Sequence, residues 1–264
     1  KRLMSFDYKF LCGTNALYTN MLRPLPQWNI YLHNCKMLEG TILLGVGAGK
    51  NSSTINYYTR HLYNKVLSHD YFHSVRDEYT KEMLESLGFR AINTGCPTLW
   101  GLTPSFCEKI SSVKSDSVVF TLTSYSPDRK MDTEFVKILF KNYENRYFWP
   151  QTISDKEYLD SLGFSDYKLI APNLSAYDKI LSGNVDYIGN RLHGGIRALQ
   201  FAKRTLIVSI DYRADNMGKN YTIPIIKRDT ILDELQERIE GKYTIKISGI
   251  NWHGIEDWKK QFLF

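Results

Sequence analysis

The sequence has few cysteines and no long apolar run. Its four cysteines are far apart and lack the spacing of a metal site: Cys12, Cys35, Cys96 and Cys107. No segment approaches the roughly 20 apolar residues of a membrane-spanning helix, and the first residues lack the apolar region of a signal peptide. These absences argue against a zinc-binding module and predict a cytoplasmic protein with reduced thiols.

Runs of like charge and nucleic-acid-binding motifs are also absent. The 34 basic and 28 acidic residues give a net charge of +6, which favours anionic partners. The charges are dispersed, with no block of five or six of one sign, and no zinc-finger or RNP pattern occurs. We therefore expect an anionic partner other than nucleic acid.

Three motifs of known chemistry are missing or broken. There is no GxSxG motif of a serine hydrolase. We assign no metal, because three histidines of the first half lie too irregularly for a metal site: His61, His69 and His73. The stretch "GVGAGKNSS" (residues 45–53) departs from a P-loop, since Leu44 stands where the first glycine is needed and Asn51 where Ser or Thr would contact magnesium.

Short apolar runs alternate with helical patterns along the chain, which is typical of parallel βαβ units. In the first half we predict strands at residues 8–13, 41–47, 71–77 and in "RAINTGCP", and helices at 54–67 and 78–87. Asp77 is a candidate cap of the second helix, and Gly88 is placed to end it with left-handed backbone angles. A short edge helix and a polar linker follow in "TPSFCEKISSVKSDS".

The same pattern restarts at Ser117. Strands are predicted at residues 117–123, 146–151, 167–172, 185–190 and 204–210, and helices at 132–145, 154–164, 174–183, 194–202 and 229–240. Ser154 is the candidate cap of the second of these helices.

This order predicts two successive three-layer α/β units. We place the domains at 1–114 and 115–264, with a linker near 111–116. Because the chain opens with Lys1 close to a core strand, we expect the N-terminal domain to be shortened at its start. Open α/β sheets bind ligands at the carboxyl ends of their strands, so we expect the site between the two domains.

Two glycine turns of the first half are candidate ligand contacts. "GTN" supplies Gly13 and Asn15, and the second turn supplies Gly47 and Asn51. The alternative is a purely structural turn that needs Gly and Asn for left-handed angles. Arg76 lies at the end of a buried strand, where a guanidinium suits a carboxylate or a phosphate.

The densest stretch is "GNRLHGGIRALQ" (residues 189–200), where a strand passes into a helix. Gly194 and Gly195 would let a ligand approach the first helical turn, whose N–H groups and dipole favour negative charge. Arg191 adds a fixed cation, and His193 adds a group that donates or accepts a proton near neutral pH. The next strand ends in "IDYRADNMGKNYTIP", which offers further groups to the same crevice: Asp211, Arg213 and Lys219.

Taken in order, "GTN", "GVGAG", "SVRDEYT", "GCPTLW" and "NRLHGGIRAL…IDYRADNMG" resemble the polysaccharide pyruvyl transferase family over nearly the whole chain. The resemblance implies two Rossmann-like domains in the GT-B arrangement. It also implies transfer of a pyruvyl group from phosphoenolpyruvate to sugar hydroxyls of a polysaccharide or its lipid-linked precursor, which leaves a cyclic ketal. No cofactor is implied besides this donor substrate.

The chemistry of phosphoenolpyruvate agrees with the candidate residues. Its carboxylate and phosphate need at least two cations, which Arg191 and Arg76 would supply. The resemblance implies that His193 is the general acid that protonates the methylene carbon. A carboxylate would serve as the base, and we leave its identity open. We assign the remaining candidates to the donor side (Leu192, Gly194, Gly195, Arg213 and Lys219) and to the acceptor side (Gly13, Asn15, Gly47 and Asn51).

The sequence departs from the family pattern on the acceptor side. A GGG-like turn is usual where this chain has "GTN", and an extra strand usually precedes the segment that begins here with "FDYKFLCG". Two other functions use the same architecture, a nucleotide-sugar glycosyltransferase and a non-catalytic glycan-binding or assembly protein.

The C-terminal stretch "NWHGIEDWKKQFLF" has the pattern of an amphipathic helix. Its aromatic residues offer more apolar area than a soluble surface normally exposes, so we expect the helix to pack back on the N-terminal domain. The alternative is an approach to a membrane that carries a lipid-linked acceptor.

Overall fold

The computed structural model describes residues 6–22, 28–49 and 52–262, apart from the side chains of residues 212 and 213. Its contacts divide the chain into two compact units, one formed by Lys1–Trp100 with Ile250–Phe264 and one by Gly101–Gly249. Residues 101–114, which we had placed in the first domain, group with the second unit, where Cys107 and Ile110 are buried. The GT-B arrangement stays a prediction.

The first unit is built from pairs of parallel strands and short helices. Its elements are β1 (Lys9–Cys12), β2 (Asn15–Tyr18), β3 (Thr41–Leu44), β4 (Gly47–Gly49), α1 (Tyr57–Val66), β5 (His73–Val75), α2 (Glu78–Glu85) and β6 (Ala91–Asn93). β1 pairs with β3, β2 with β4, and β5 with β6. The apolar run at 41–47 forms two strands rather than the predicted one, because Gly45 (φ 64°) turns the chain against Pro97.

Local signals at the ends of α2 act as predicted. The Asp77 side chain accepts a hydrogen bond from the N–H of Thr80, so it caps the helix. Gly88 has a φ of 88° and ends the turn that follows. The C-terminal residues belong to this unit as well, since Trp258 donates its indole N–H to the carbonyl of Phe72 at 2.7 Å.

The second unit is a six-stranded parallel sheet with helices on its faces. Its elements are α3 (Pro104–Cys107), β7 (Ser117–Thr121), α4 (Arg129–Asn142), β8 (Asn145–Phe148), α5 (Ile153–Ser161), β9 (Lys168–Leu169), α6 (Leu174–Leu181), β10 (Asp186–Gly189), α7 (Leu192–Gln200), β11 (Thr205–Ser209), α8 (Tyr212–Tyr221), β12 (Ile225–Lys227) and α9 (Ile231–Glu240); α10 (Trp252–Lys260) lies in the first unit. The α/β class with parallel sheets flanked by helices is thereby confirmed.

The strand order of this sheet shows where its connections reverse direction. It is β12-β11-β10-β7-β8-β9, with every pair parallel. This is the order of a doubly wound Rossmann sheet, whose connections reverse direction between the first and fourth strands. Those strands are β7 and β10, so the switch point of the sheet lies between their carboxyl ends.

Two helix starts of the second unit differ from the predictions. The cap of α5 is Thr152 rather than Ser154, because Thr152 and Asp155 bond to each other's backbone in a capping box. We predicted no helix in the residues after β11, but they form α8, at whose start Asp211 accepts a hydrogen bond from the N–H of Ala214. Among the described residues, no helix is long and apolar enough to cross a membrane.

His73 is a core residue of the first unit. It is fully buried, its Nδ1 accepts the N–H of Leu43 at 3.1 Å, and its Nε2 donates to the carbonyl of Ser68 at 3.0 Å. Burial disfavours the imidazolium and lowers the pKa of His73 to about 4. The ring is therefore neutral in the folded protein at pH values where it is charged in the unfolded chain.

We expect this histidine to destabilise the first unit on acidification. In the unfolded chain His73 is protonated below pH 6.5, whereas in the folded chain it is protonated only below about pH 4. The free energy of unfolding therefore falls as the pH falls through this window. Between pH 7 and pH 5 the loss is about 2 kcal/mol. Hydrogen exchange of β3 and β5 measures it, and His73→Asn, which retains an acceptor for Leu43, should lose less stability over this range. Equal losses in both proteins would contradict the prediction.

Candidate active site

The carboxyl ends of β7 and β10 are held in close contact. Gly189, the last residue of β10, lies so near Thr121 that a Cβ would overlap the threonine hydroxyl. Two residues further on, the backbone N–H of Arg191 donates to that same hydroxyl at 3.2 Å. The chain therefore leaves β10 directly beside the end of β7, at the switch point of the sheet.

Two buried tyrosines fix the start of α7. The hydroxyl of Tyr187 donates to the carbonyl of Arg191 at 2.9 Å, and the hydroxyl of Tyr177 donates to the carbonyl of Gly194 at 2.8 Å. Trp149 stacks on Tyr177 with ring centroids 3.9 Å apart. Burial raises the pKa of both phenols far above the ordinary value, so both stay protonated donors.

The Arg191 guanidinium pairs with a fully buried carboxylate. Its Nη2 lies 2.9 and 2.6 Å from the two oxygens of Asp155. The same carboxylate accepts the N–H groups of Ser124 at 2.9 Å and of Gln151 and Thr152 at 3.1 Å. Burial opposes ionisation, but these donors and Arg191 outweigh it and lower the pKa of Asp155. Asp155 thus anchors Arg191 as a permanent anion.

A tyrosine connects Arg191 with the end of β11. Cζ of Arg191 lies over the ring of Tyr125, 5.1 Å from its centroid. The phenol of Tyr125 donates to Oδ2 of Asp211 at 3.4 Å. The loops after β7, β10 and β11 therefore contribute side chains to one surface.

The start of α7 differs from the starts of α4 and α5. Arg191 is its N-cap residue and makes no side-chain cap bond, whereas Asp128 caps α4 and Thr152 caps α5. N–H groups at such a helix start attract anions. His193 is exposed in this first turn, and Leu192 is partly buried.

The two glycines of this turn have packing roles of their own. Gly194 is buried beside Tyr187 and Trp149, and a Cβ on Gly195 would overlap the side chain of Ile207. Both glycines therefore let α7 lie close to the sheet.

A second cluster forms in the first unit. Arg76 Nη2 donates to Oδ1 of Asn15, and a Cβ on Gly47 would overlap both groups. Nε of Arg76 lies 3.7 Å from the carboxylate of Asp77. Gly13 adopts a φ of 66° at the turn after β1. We had assigned Arg76 to the donor, and the structure joins it to two residues assigned to the acceptor.

The model of the polysaccharide pyruvyl transferase family matches residues 3–212 of the chain. The chain belongs to this family. The resemblance drawn from its motifs is thereby confirmed. No curated protein and no solved structure matches the chain.

The remaining predicted site residues do not lie in either of these two clusters or fall outside the described residues. Lys219 is exposed in the last turn of α8, roughly 10 Å along the helix from its start, so it is not joined to the Arg191 cluster. The side chain of Arg213 and residue Asn51 lie outside the described part of the chain.

Sequence reasoning missed two residues of the candidate site, Asp155 and Tyr125. The position of Asp155 could have been found from the sequence, because Thr152 and Asp155 have the spacing of a capping box. That spacing marks Thr152 as the cap of α5 and places Asp155 in its first turn. Its pairing with Arg191 spans 36 positions and has no local signature. Tyr125 follows a predicted strand and had no signal beyond its aromatic ring.

Proposed function

We propose that this pyruvyl transferase takes the pyruvyl group from phosphoenolpyruvate and joins it, as a ketal, to hydroxyls of a sugar in a polysaccharide or its lipid-linked precursor. One observation carries the proposal: an arginine fixed by a buried carboxylate and an exposed histidine share the uncapped start of α7 at the switch point. We place the reaction in the cytoplasm, at the inner face of the membrane where the acceptor is lipid-linked.

The donor would be held by its charges. Asp155 engages Nη2 of Arg191, whereas no described residue bonds Nη1, which leaves that nitrogen for a carboxylate or phosphate oxygen. The N–H groups of the first turn of α7 would receive the other anionic group. Because Asp155 offsets the charge of Arg191, a second cation is needed, and Arg76 and Arg213 are our candidates.

The ketal requires one protonation, one addition of a hydroxyl and one displacement of phosphate by a second hydroxyl. His193 would protonate the methylene carbon, so that positive charge develops on the neighbouring carbon. A sugar hydroxyl attacks this carbon and loses its proton to a base. A second hydroxyl of the sugar then displaces phosphate, which leaves with that hydroxyl's proton. Asp155 does not suit the role of base, since five donors already hold it as an anion.

A nucleotide-sugar donor fits the connection between β7 and α4 less well than phosphoenolpyruvate fits the start of α7. In dinucleotide-binding sheets a glycine-rich turn after the first strand lets the diphosphate approach the next helix. The helix after β7 instead begins with Asp128 as its cap and a buried Asp132, and both carboxylates oppose a diphosphate there.

The proposal is tested by incubating the protein with phosphoenolpyruvate and a panel of galactose, glucose, mannose and amino-sugar acceptors. We expect phosphate release that depends on the acceptor, together with a sugar product whose mass has gained one pyruvate ketal. Absence of turnover across the panel, combined with tight binding of a sugar nucleotide, would overturn the proposal in favour of a glycosyltransferase.

A further inference from the structure

The loop after β7 presents an aromatic ring to solvent although its backbone is tightly held. The ring belongs to Tyr125, which is 55% exposed. Three neighbouring backbone groups are bonded to side chains: the Ser124 N–H to Asp155 Oδ1 at 2.9 Å, the Ser126 carbonyl to Arg228 Nη2 at 2.7 Å, and the Asp128 N–H to Asp132 Oδ2 at 2.9 Å. A ring on such a loop is preorganised, so a ligand that stacks on it loses little free energy to ordering.

The ring is also tied to the groups of the donor site. The Arg191 guanidinium lies over the ring, and the phenol donates to Asp211 at the end of β11. The Asp155 carboxylate that fixes Arg191 also bonds the N–H of Ser124, one residue before Tyr125. Arg191 and Tyr125 are therefore positioned by the same anchor.

We propose that Tyr125 is the platform on which the acceptor sugar stacks. The inference rests on the proposed function, because an acceptor hydroxyl has to reach the donor carbon held beside Arg191. The face of an aromatic ring carries partial negative charge. It attracts the partially positive C–H bonds of a pyranose and repels the carboxylate and phosphate of phosphoenolpyruvate. An exposed ring beside Arg191 thus suits the neutral sugar and not the anionic donor.

Steady-state kinetics of two variants test this role. Tyr125→Ala should raise the KM for the acceptor about tenfold, the effect of losing one aromatic contact, and leave the KM for phosphoenolpyruvate within about twofold. Tyr125→Phe keeps the ring and loses the phenol bond to Asp211, so its acceptor KM should stay near that of the parent. Tyr57→Ala, in the exposed part of α1, is the matched control and should change neither constant.

A rise in the donor KM with an unchanged acceptor KM would overturn the inference, because the ring would then only support Arg191. A second measurement does not depend on turnover. Saturation-transfer NMR with methyl β-galactoside and methyl α-mannoside should show sugar signals with the parent protein that Tyr125→Ala loses. If the protein shows no turnover but the sugar signals are present with the parent and lost in Tyr125→Ala, the proposal of pyruvyl transfer is wrong and the proposal that Tyr125 binds the sugar is supported. Sugar signals that are absent in the parent or retained in Tyr125→Ala contradict the platform.

Discussion

Replacing His193 with alanine should lower the turnover number by roughly 10²-fold or more, the usual contribution of a positioned general acid. Protonation of the methylene carbon is the step for which water is a poor substitute, because the carbon is weakly basic and the acid has to be held against it. His193 is exposed in the first turn of α7, next to the arginine that would hold the donor. Its loss therefore removes the acid and leaves the anion-binding groups in place.

The kinetic pattern separates an acid from a binding group. For His193→Ala we expect kcat to fall while the KM for phosphoenolpyruvate changes little. Arg191→Ala should instead raise the donor KM, since it removes a charge-assisted contact. His253→Ala is a suitable control, because His253 is an exposed histidine on α10. An unchanged kcat in His193→Ala would remove this residue from the mechanism.

Local signals in the sequence predicted most strands of the second unit, but they did not predict the order of those strands in the sheet. β7, β10 and β11 are buried apolar runs, and each lies inside its predicted range. α8 was not predicted, because its polar sequence with Gly218 has no apolar stripe to mark a helix. Strand order depends on crossovers between distant segments, so no single run encodes that β7 and β10 are neighbours.

The candidate site shows the same division between local and distant information. The pattern around Arg191 and His193 was sufficient to predict a strand that passes into a helix, and the structure has β10 and α7 there. The partner of Arg191 was not predictable, because Asp155 reaches it from another βα connection 36 positions away. The cluster of Arg76 with Asn15 likewise joins residues 61 positions apart, and this pairing changed which candidates stand together.

Removal of the Asp155 carboxylate should have the largest effect on stability. We expect Asp155→Ala to destabilise the second unit by about 3 to 5 kcal/mol, because it leaves the Arg191 charge and three backbone N–H groups without their acceptor. The residue is fully buried and Arg191 is 16% exposed, so water replaces the lost bonds poorly. The donor KM should rise as well, since Arg191 loses its fixed position.

The chain supplies a matched comparison for this ion pair. Arg197 and Asp178 join α7 to α6 at 2.7 Å with side chains 38% and 28% exposed, and Asp178→Ala should cost about 1 kcal/mol or less. Hydrogen exchange of β7 and β10 measures both losses within the same unit. Equal losses would show that the Asp155 pair is no better shielded from water than the Asp178 pair. Since a lone buried charge is worse than none, Arg191→Leu added to Asp155→Ala should recover part of the stability and none of the activity.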